Sequence, residues 1–260
     1  MKNISLPTKI EIKKSKSPNE SILTVEPCFS GYGMTIGNAL RRILLSSLPG
    51  AAVTAVKIKG AQHEFSAISH VKEDVLEILL NFKQLRLKLF TDEKTRLKLH
   101  TKGEKKVTAK DIKADASVEI VNPELHIATL TNKNAELDIE IVVEKGMGYL
   151  PTEEKPKEEE EIGLIAIDAL FSPIKNVGFK VEDVRVGQLT NFDKLTLNIE
   201  TDGTITSGDA VAKSAKILLE HFNLFLDLEE KPKKTKTKSK TTEDKEDEDK
   251  KEDKKEDKKE

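Results

Sequence analysis

A chain of 260 residues allows one or two domains. Its net charge of −2 is uneven: residues 231–260 hold 13 Lys and 11 Asp or Glu with no apolar side chain, leaving residues 1–230 with 31 basic and 35 acidic groups. A mildly acidic body argues against a broad nucleic-acid surface, a single cysteine, Cys28, excludes an intrachain disulfide or Cys-rich zinc site, and no apolar run nears the roughly 20 residues that span a bilayer.

Residues 1–12 are polar and mixed in charge, unlike a secretory signal, so a soluble intracellular chain is expected. Ile4, Leu6, Ile10 and Ile12 alternate weakly, and Ser21–Val25 reads as a short strand. Gly31, Gly33 and Gly37 then lead into a helix expected from Thr35 or Gly37 to Leu48. Ile36, Leu40, Ile43, Leu44 and Ser47 share one face of it, and Pro49-Gly50 ends it. Residues 51–60 alternate as a strand. Val71–Phe82 reads as a second helix, with Val75, Leu76, Leu79 and Leu80 opposite Asp74, Glu77 and Asn81. Period-two runs at Leu85–Leu89, Leu97–Leu99, Val118–Val121, Leu125–Leu130 and Leu137–Val143 predict a mostly β stretch. Beyond a Lys/Glu-rich loop at 152–161, an apolar run at 162–170 ends at Ser172-Pro173, and Val177–Val186 and Leu195–Ile199 read as strands. A last helix starts near Ser207, with Ser207 as N-cap and Asp209 in the first turn. Val211, Ala215, Leu218, Phe222 and Phe225 recur every three or four residues along it, a stripe two to three turns longer than one small core needs. The pattern suggests an α+β fold in which a domain built from both chain ends holds an inserted, mainly β domain.

No motif points to a reaction. Gly31, Gly33 and Gly37 are spaced one residue too widely for a dinucleotide fingerprint, and a turn followed by a close helix approach explains them. His63, His70, His100, His126 and His221 lack metal-ligand spacing. Arg41-Arg42 has two readings: both side chains snorkel at a helix edge, or one anchors a protein interface. The two point about 100° apart on a helix and need not share a role. The Lys-rich block at 231–240 is either a weak phosphate contact or a solubilising tail.

Glu26-Pro27 and the run Gly31-Tyr-Gly-Met-Thr-Ile-Gly-Asn-Ala-Leu-Arg-Arg-Ile-Leu-Leu-Ser-Ser-Leu-Pro-Gly50 closely resemble the α subunits of bacterial and plastid RNA polymerases. So do His63-Glu-Phe-Ser66, Lys72–Asn81, Gly146–Pro151, Asp168–Pro173, Asp193–Leu195 and Asp202–Ile205. The resemblance spans about residues 7–228. It implies a discontinuous dimerisation domain at 1–49 and 173–228, strands plus two long helices, with an inserted mainly β domain at 50–172. It implies a homodimer whose interface includes Ile36, Leu40, Ile43, Leu44, Ser47, Val211, Ala215, Leu218, Phe222 and Phe225. It further implies a scaffold without an active site or cofactor of its own, which recruits the β and β′ subunits and meets sigma factor and DNA only through the assembled complex. Matched positions assign β binding to Arg42, Leu45, His63 and the segment Glu73 to Asn81, Glu73, Asp74, Glu77 and Asn81 foremost, and β′ binding to Lys83 and Ile167. A cytoplasmic, nucleoid-associated location follows, with a plastid source as the alternative. Where that family usually carries a C-terminal DNA-binding domain, residues 229–260 form a charged tail expected to stay disordered. Two rivals remain: a free-standing dimeric adaptor, and a small enzyme with an unrecognised site.

Overall fold

The computed structural model describes residues 4–15, 17–155 and 163–226. Contacts divide the chain into Met1–Phe222 and Asn223–Glu260, and of the second unit only Asn223–Leu226 is described, as the end of a helix. The expected charged tail at 229–260, and the Lys/Glu-rich loop from residue 156 onward, lie outside the described residues.

The elements in chain order are β1 (Lys9–Lys14), β2 (Glu20–Cys28), α1 (Tyr32–Ser46), β3 (Pro49–Ile58) and α2 (Val75–Lys83). A long β series follows: β4 (Leu87–Leu89), β5 (Thr95–Lys102), β6 (Lys105–Thr108), β7 (Ile112–Lys113), β8 (Val118–Ile120), β9 (His126–Leu130), β10 (Glu136–Met147) and β11 (Tyr149–Leu150). Short strands β12 (Leu164–Ala166) and β13 (Ala169–Leu170) precede the long pair β14 (Ile174–Val186) and β15 (Leu189–Thr201), and α3 (Ser207–Leu226) ends the series. The mixed α+β class and the β-rich middle agree with the sequence pattern.

The first sheet runs β1-β2-β15-β14, antiparallel throughout. Its register sets Val25 beside Leu195 and Leu23 beside Leu197, with Val181 and Phe179 on the far side. These residues share one face, and α1 covers it with Leu40 and Leu44 while α3 adds Ala210. Gly37 permits the close approach: a Cβ there would lie 2.9 Å from Leu195 Cδ1 and from Phe179 Cδ2. Helix α1 begins at Tyr32, before the expected Thr35, because its cap comes from a distant strand. Asp193 Oδ2 accepts the N–H groups of Gly31 and Gly33 at 2.9 and 3.0 Å, satisfying donors that a helix start leaves open. Gly31 takes φ 85°, the left-handed region glycine enters without steric cost. In α3 the cap is Thr206 rather than the expected Ser207: Thr206 Oγ1 accepts the Asp209 N–H and donates to the Asp209 carboxylate.

The second sheet runs β7-β5-β10-β3-β4-β8, with β12 added on β3. Alternation along β3, β10 and β5 aligns Ile58, Ile139 and Leu99, and likewise Val56, Ile141 and Leu97, in one buried layer. Against it α2 packs Val75, Ile78 and Phe82, all within 1% of full burial. Helix α2 starts at Val75, not Val71: Asp74 Oδ1 accepts the Glu77 N–H at 2.8 Å, and Val71 instead bridges to Leu130. The apolar clusters around the two sheets share no residue.

Candidate partner-binding surfaces

Helix α2 buries one stripe and leaves another open. Leu76 and Leu80, one turn apart, are 41% and 52% exposed, although their spacing beside Val75 and Leu79 reads as core. They form one wall of an open groove of about 660 Å³. Its other wall is the Gly163–Asp168 segment containing β12, its far end is Gln62–Glu64, and Lys83 and Thr152 sit at its mouth. Phe65, beside that far end, is 76% exposed.

At the mouth, Lys83 Nζ lies 3.2 Å from Asp168 Oδ2 and 5.5 Å from the centre of the Tyr149 ring. The Asp168 carboxylate also accepts the Tyr149 hydroxyl and the Thr152 N–H. These donors, the tyrosine foremost, hold Asp168 below the usual carboxylate range, and the same bond to Asp168 raises the Tyr149 phenol. Behind the groove, Lys155 Nζ donates to the carbonyls of Thr54 and Ile167, tying the segment after β11 to β3, and burial lowers its pKa. Ile167, assigned by resemblance to a β′ contact, is buried at 6% exposure; it contributes its place in the wall, not an open side chain, and its carbonyl is already taken by Lys155.

The polar residues that the resemblance assigns to β separate into two groups. Glu73 is tied down, its carboxylate accepting the Thr129 N–H at 2.6 Å and the Thr129 hydroxyl at 2.9 Å, with His126 Nε2 also at 2.9 Å. Asp74 caps α2, and Asn81 Nδ2 donates to the Ile127 carbonyl at 3.0 Å. These three assignments meet side chains already committed to the fold. Glu77 and Arg42 are exposed without a side-chain partner among the described residues, and His63 lines the groove with Nδ1 3.3 Å from Ser66 Oγ. The arginine pair divides: Arg41 Nε donates to the Val177 carbonyl across the first sheet, while Arg42 and Leu45 face outward on α1.

A second open apolar surface lies on α1 and α3. Of the stripe expected to face another copy, Leu40 and Leu44 belong to this chain's own core, at 8% and 0% exposure, and Leu44 has no surface left to offer. Ile36, Ile43, Ser47, Val211, Ala215 and Leu218 are half-buried. From Leu219 onward every described residue of α3 is exposed, Phe222 and Phe225 included. Leu76, Leu80 and Asp168 line the groove, with Phe65 and Tyr149 beside it; the sequence places Leu76 and Leu80 on the apolar side of α2 but carries no signal for Tyr149, whose part depends on the distant Lys83 and Asp168. Among the described residues no group of His, Cys, Asp and Glu could hold a metal ion, and no helix is long and apolar enough to cross a membrane.

Residues 56–172 match the family model described as the RNA polymerase Rpb3/RpoA insert domain. Curated relatives named DNA-directed RNA polymerase subunit alpha match most of the chain. The Oceanobacillus iheyensis protein is 48% identical over 229 residues, 85% of this chain and 73% of that one. The Symbiobacterium thermophilum protein is 54% identical over 206 residues, 79% of this chain and 65% of that one. The Carboxydothermus hydrogenoformans protein is 49% identical over 228 residues, covering 85% and 72%.

Proposed function

This chain belongs to the family of DNA-directed RNA polymerase α subunits, and on that premise we propose that it is the homodimeric scaffold on which the large β and β′ subunits assemble. It is thereby part of a nucleotidyltransferase complex, with catalysis carried by other subunits. The observation that carries the dimer is the end of α3, which no other described residue covers: Leu219 and Phe222 are 61% and 59% exposed on a helix whose earlier turns lie on the first sheet. Apolar surface of that extent beside a half-buried α1 stripe calls for a partner. A second copy supplies a matching surface by symmetry. The interface then rests on Ile36, Ile43, Ser47, Val211, Ala215, Leu218, Phe222 and Phe225, with Leu40 and Leu44 supporting it from behind. The separate apolar clusters favour the division into a discontinuous dimerisation domain, 1–49 and 173–228, around an inserted domain at 50–172.

The α2 groove, Arg42 and Leu45 suit the large subunits, because they pair exposed apolar side chains with an unengaged guanidinium, a combination enriched at interface hot spots. Sigma factor and DNA come to this chain through the assembled polymerase, in the cytoplasm. Two variants separate the surfaces. Phe222→Glu should give monomers in sedimentation equilibrium, whereas Arg42→Ala should stay dimeric and capture β at least tenfold more weakly. A folded wild-type monomer at tens of micromolar, or loss of the dimer in the Arg42 variant, overturns the assignment.

A further inference from the structure

Among the described residues, strand β12 has one neighbour. It pairs antiparallel with β3, Leu164 opposite Lys57, Ile165 opposite Val56 and Ala166 opposite Ala55. The Ile167 N–H donates to the Thr54 carbonyl at 2.9 Å, so the pair Ile167–Thr54 is a hydrogen-bonded one. Antiparallel ladders alternate bonded and non-bonded pairs. Ile165 is therefore the next residue bonded to β3, and the N–H and C=O groups of Leu164 and Ala166 point the other way, into the groove beside α2. No described residue meets them there. Side-chain alternation places Ile165 and Ile167 in the core and leaves Ala166 exposed. The open edge thus presents backbone groups on one wall and the exposed Leu76 and Leu80 on the other.

We propose that the groove between α2 and β12 takes an extended segment of a large polymerase subunit as an added strand on β12. Its backbone would pair with Leu164 and Ala166, and its alternate apolar side chains would rest on Leu76 and Leu80. Unpaired edges with an adjacent apolar surface take extended peptides in this way, with main-chain bonds giving affinity and alternate pockets giving specificity. Charge disfavours an acidic segment: the groove's cation, Lys83, is already matched by Asp168, while Glu64 lines the far end with no ion pair among the described residues. The inference rests on the scaffold reading above, which supplies the partner.

The test uses the full chain as a dimer, with purified β and purified β′ presented separately. Ala166→Pro removes the outward N–H and places a ring on the open edge without taking a bond from β3. Ala166→Val keeps the N–H and serves as the control. The expected result is wild-type capture of one large subunit, slowed amide exchange at Leu164 and Ala166 in that complex, and capture weakened at least tenfold by Ala166→Pro but by less than threefold by Ala166→Val. The melting temperatures of the free variants show whether each has folded; if Ala166→Pro has not, the exchange measurement on wild type decides alone. Capture with unchanged exchange at Leu164 and Ala166 overturns the added strand and leaves the scaffold standing. Failure of wild type to capture either subunit overturns both.

Discussion

Glu73 shows how a single side chain can resemble a partner contact and be a structural one. Its carboxylate, 12% exposed, joins the start of α2 to β9 through Thr129 and His126. Burial alone would raise its pKa, but the bonds from His126 and from the Thr129 N–H and hydroxyl outweigh it, and the group titrates below the usual 4.5. A depressed folded-state pKa stabilises the protein above the unfolded value, and that contribution disappears as pH falls through the folded value. Glu73→Gln should therefore cost about 1.5–3 kcal/mol near neutral pH, the range for hydrogen bonds to a charged group. In urea unfolding the gap between wild type and variant should be constant above about pH 5 and shrink as pH drops below 4.5. A gap of equal size at acid and neutral pH would mean that the ionised carboxylate is not what holds the two elements together.

Glycine packing decides where the elements sit. A Cβ at Gly50 would fall 1.9 Å from the Phe171 carbonyl oxygen, a backbone atom that cannot turn aside. At Gly37 the nearest atoms are Leu195 Cδ1 and the edge of the Phe179 ring, side-chain atoms rather than backbone, and alanine offsets their displacement by up to about 1 kcal/mol in helix propensity. Gly50→Ala should cost 3 kcal/mol or more, beyond the usual range of about 1–3 kcal/mol for overpacking, while Gly37→Ala stays within about 1 kcal/mol of wild type; thermal melts of both variants check the order. From sequence, Pro49-Gly50 reads only as a helix stop, since its contact with Phe171 joins residues far apart in the chain. The start of α1 is hidden for the same reason: its cap, Asp193, lies 160 residues from Gly33. Strands are legible because each sheet buries one face, so period-two alternation survives in the residue order. Helical spacing shows which residues share a face but not what that face meets. Leu40 and Leu44 therefore read as interface and are core, while Leu76 and Leu80 read as core and are open.

At the scale of the molecule, three apolar clusters stabilise the chain from within, and a further apolar surface, on α1 and α3, is covered by nothing among the described residues. If a second copy covers that surface, folding and association are one equilibrium, and stability depends on protein concentration. Mass action then adds about 1.4 kcal/mol to the dimer for each tenfold rise in concentration. With an unfolding entropy near 2 cal/mol/K per residue over two chains, the melting temperature should rise by about 1–2 °C per tenfold. Calorimetry across a hundredfold range should thus show an upward drift of about 2–4 °C, lost in Phe222→Glu. A surface placed on α3 only to meet the large subunits would give no such drift, because an isolated chain would melt as a monomer at every concentration. The same experiment at high salt separates the forces: apolar contact between Phe222 and its counterpart should keep the slope, whereas exposed ion pairs would lose it over a screening length of about 3 Å at 1 M.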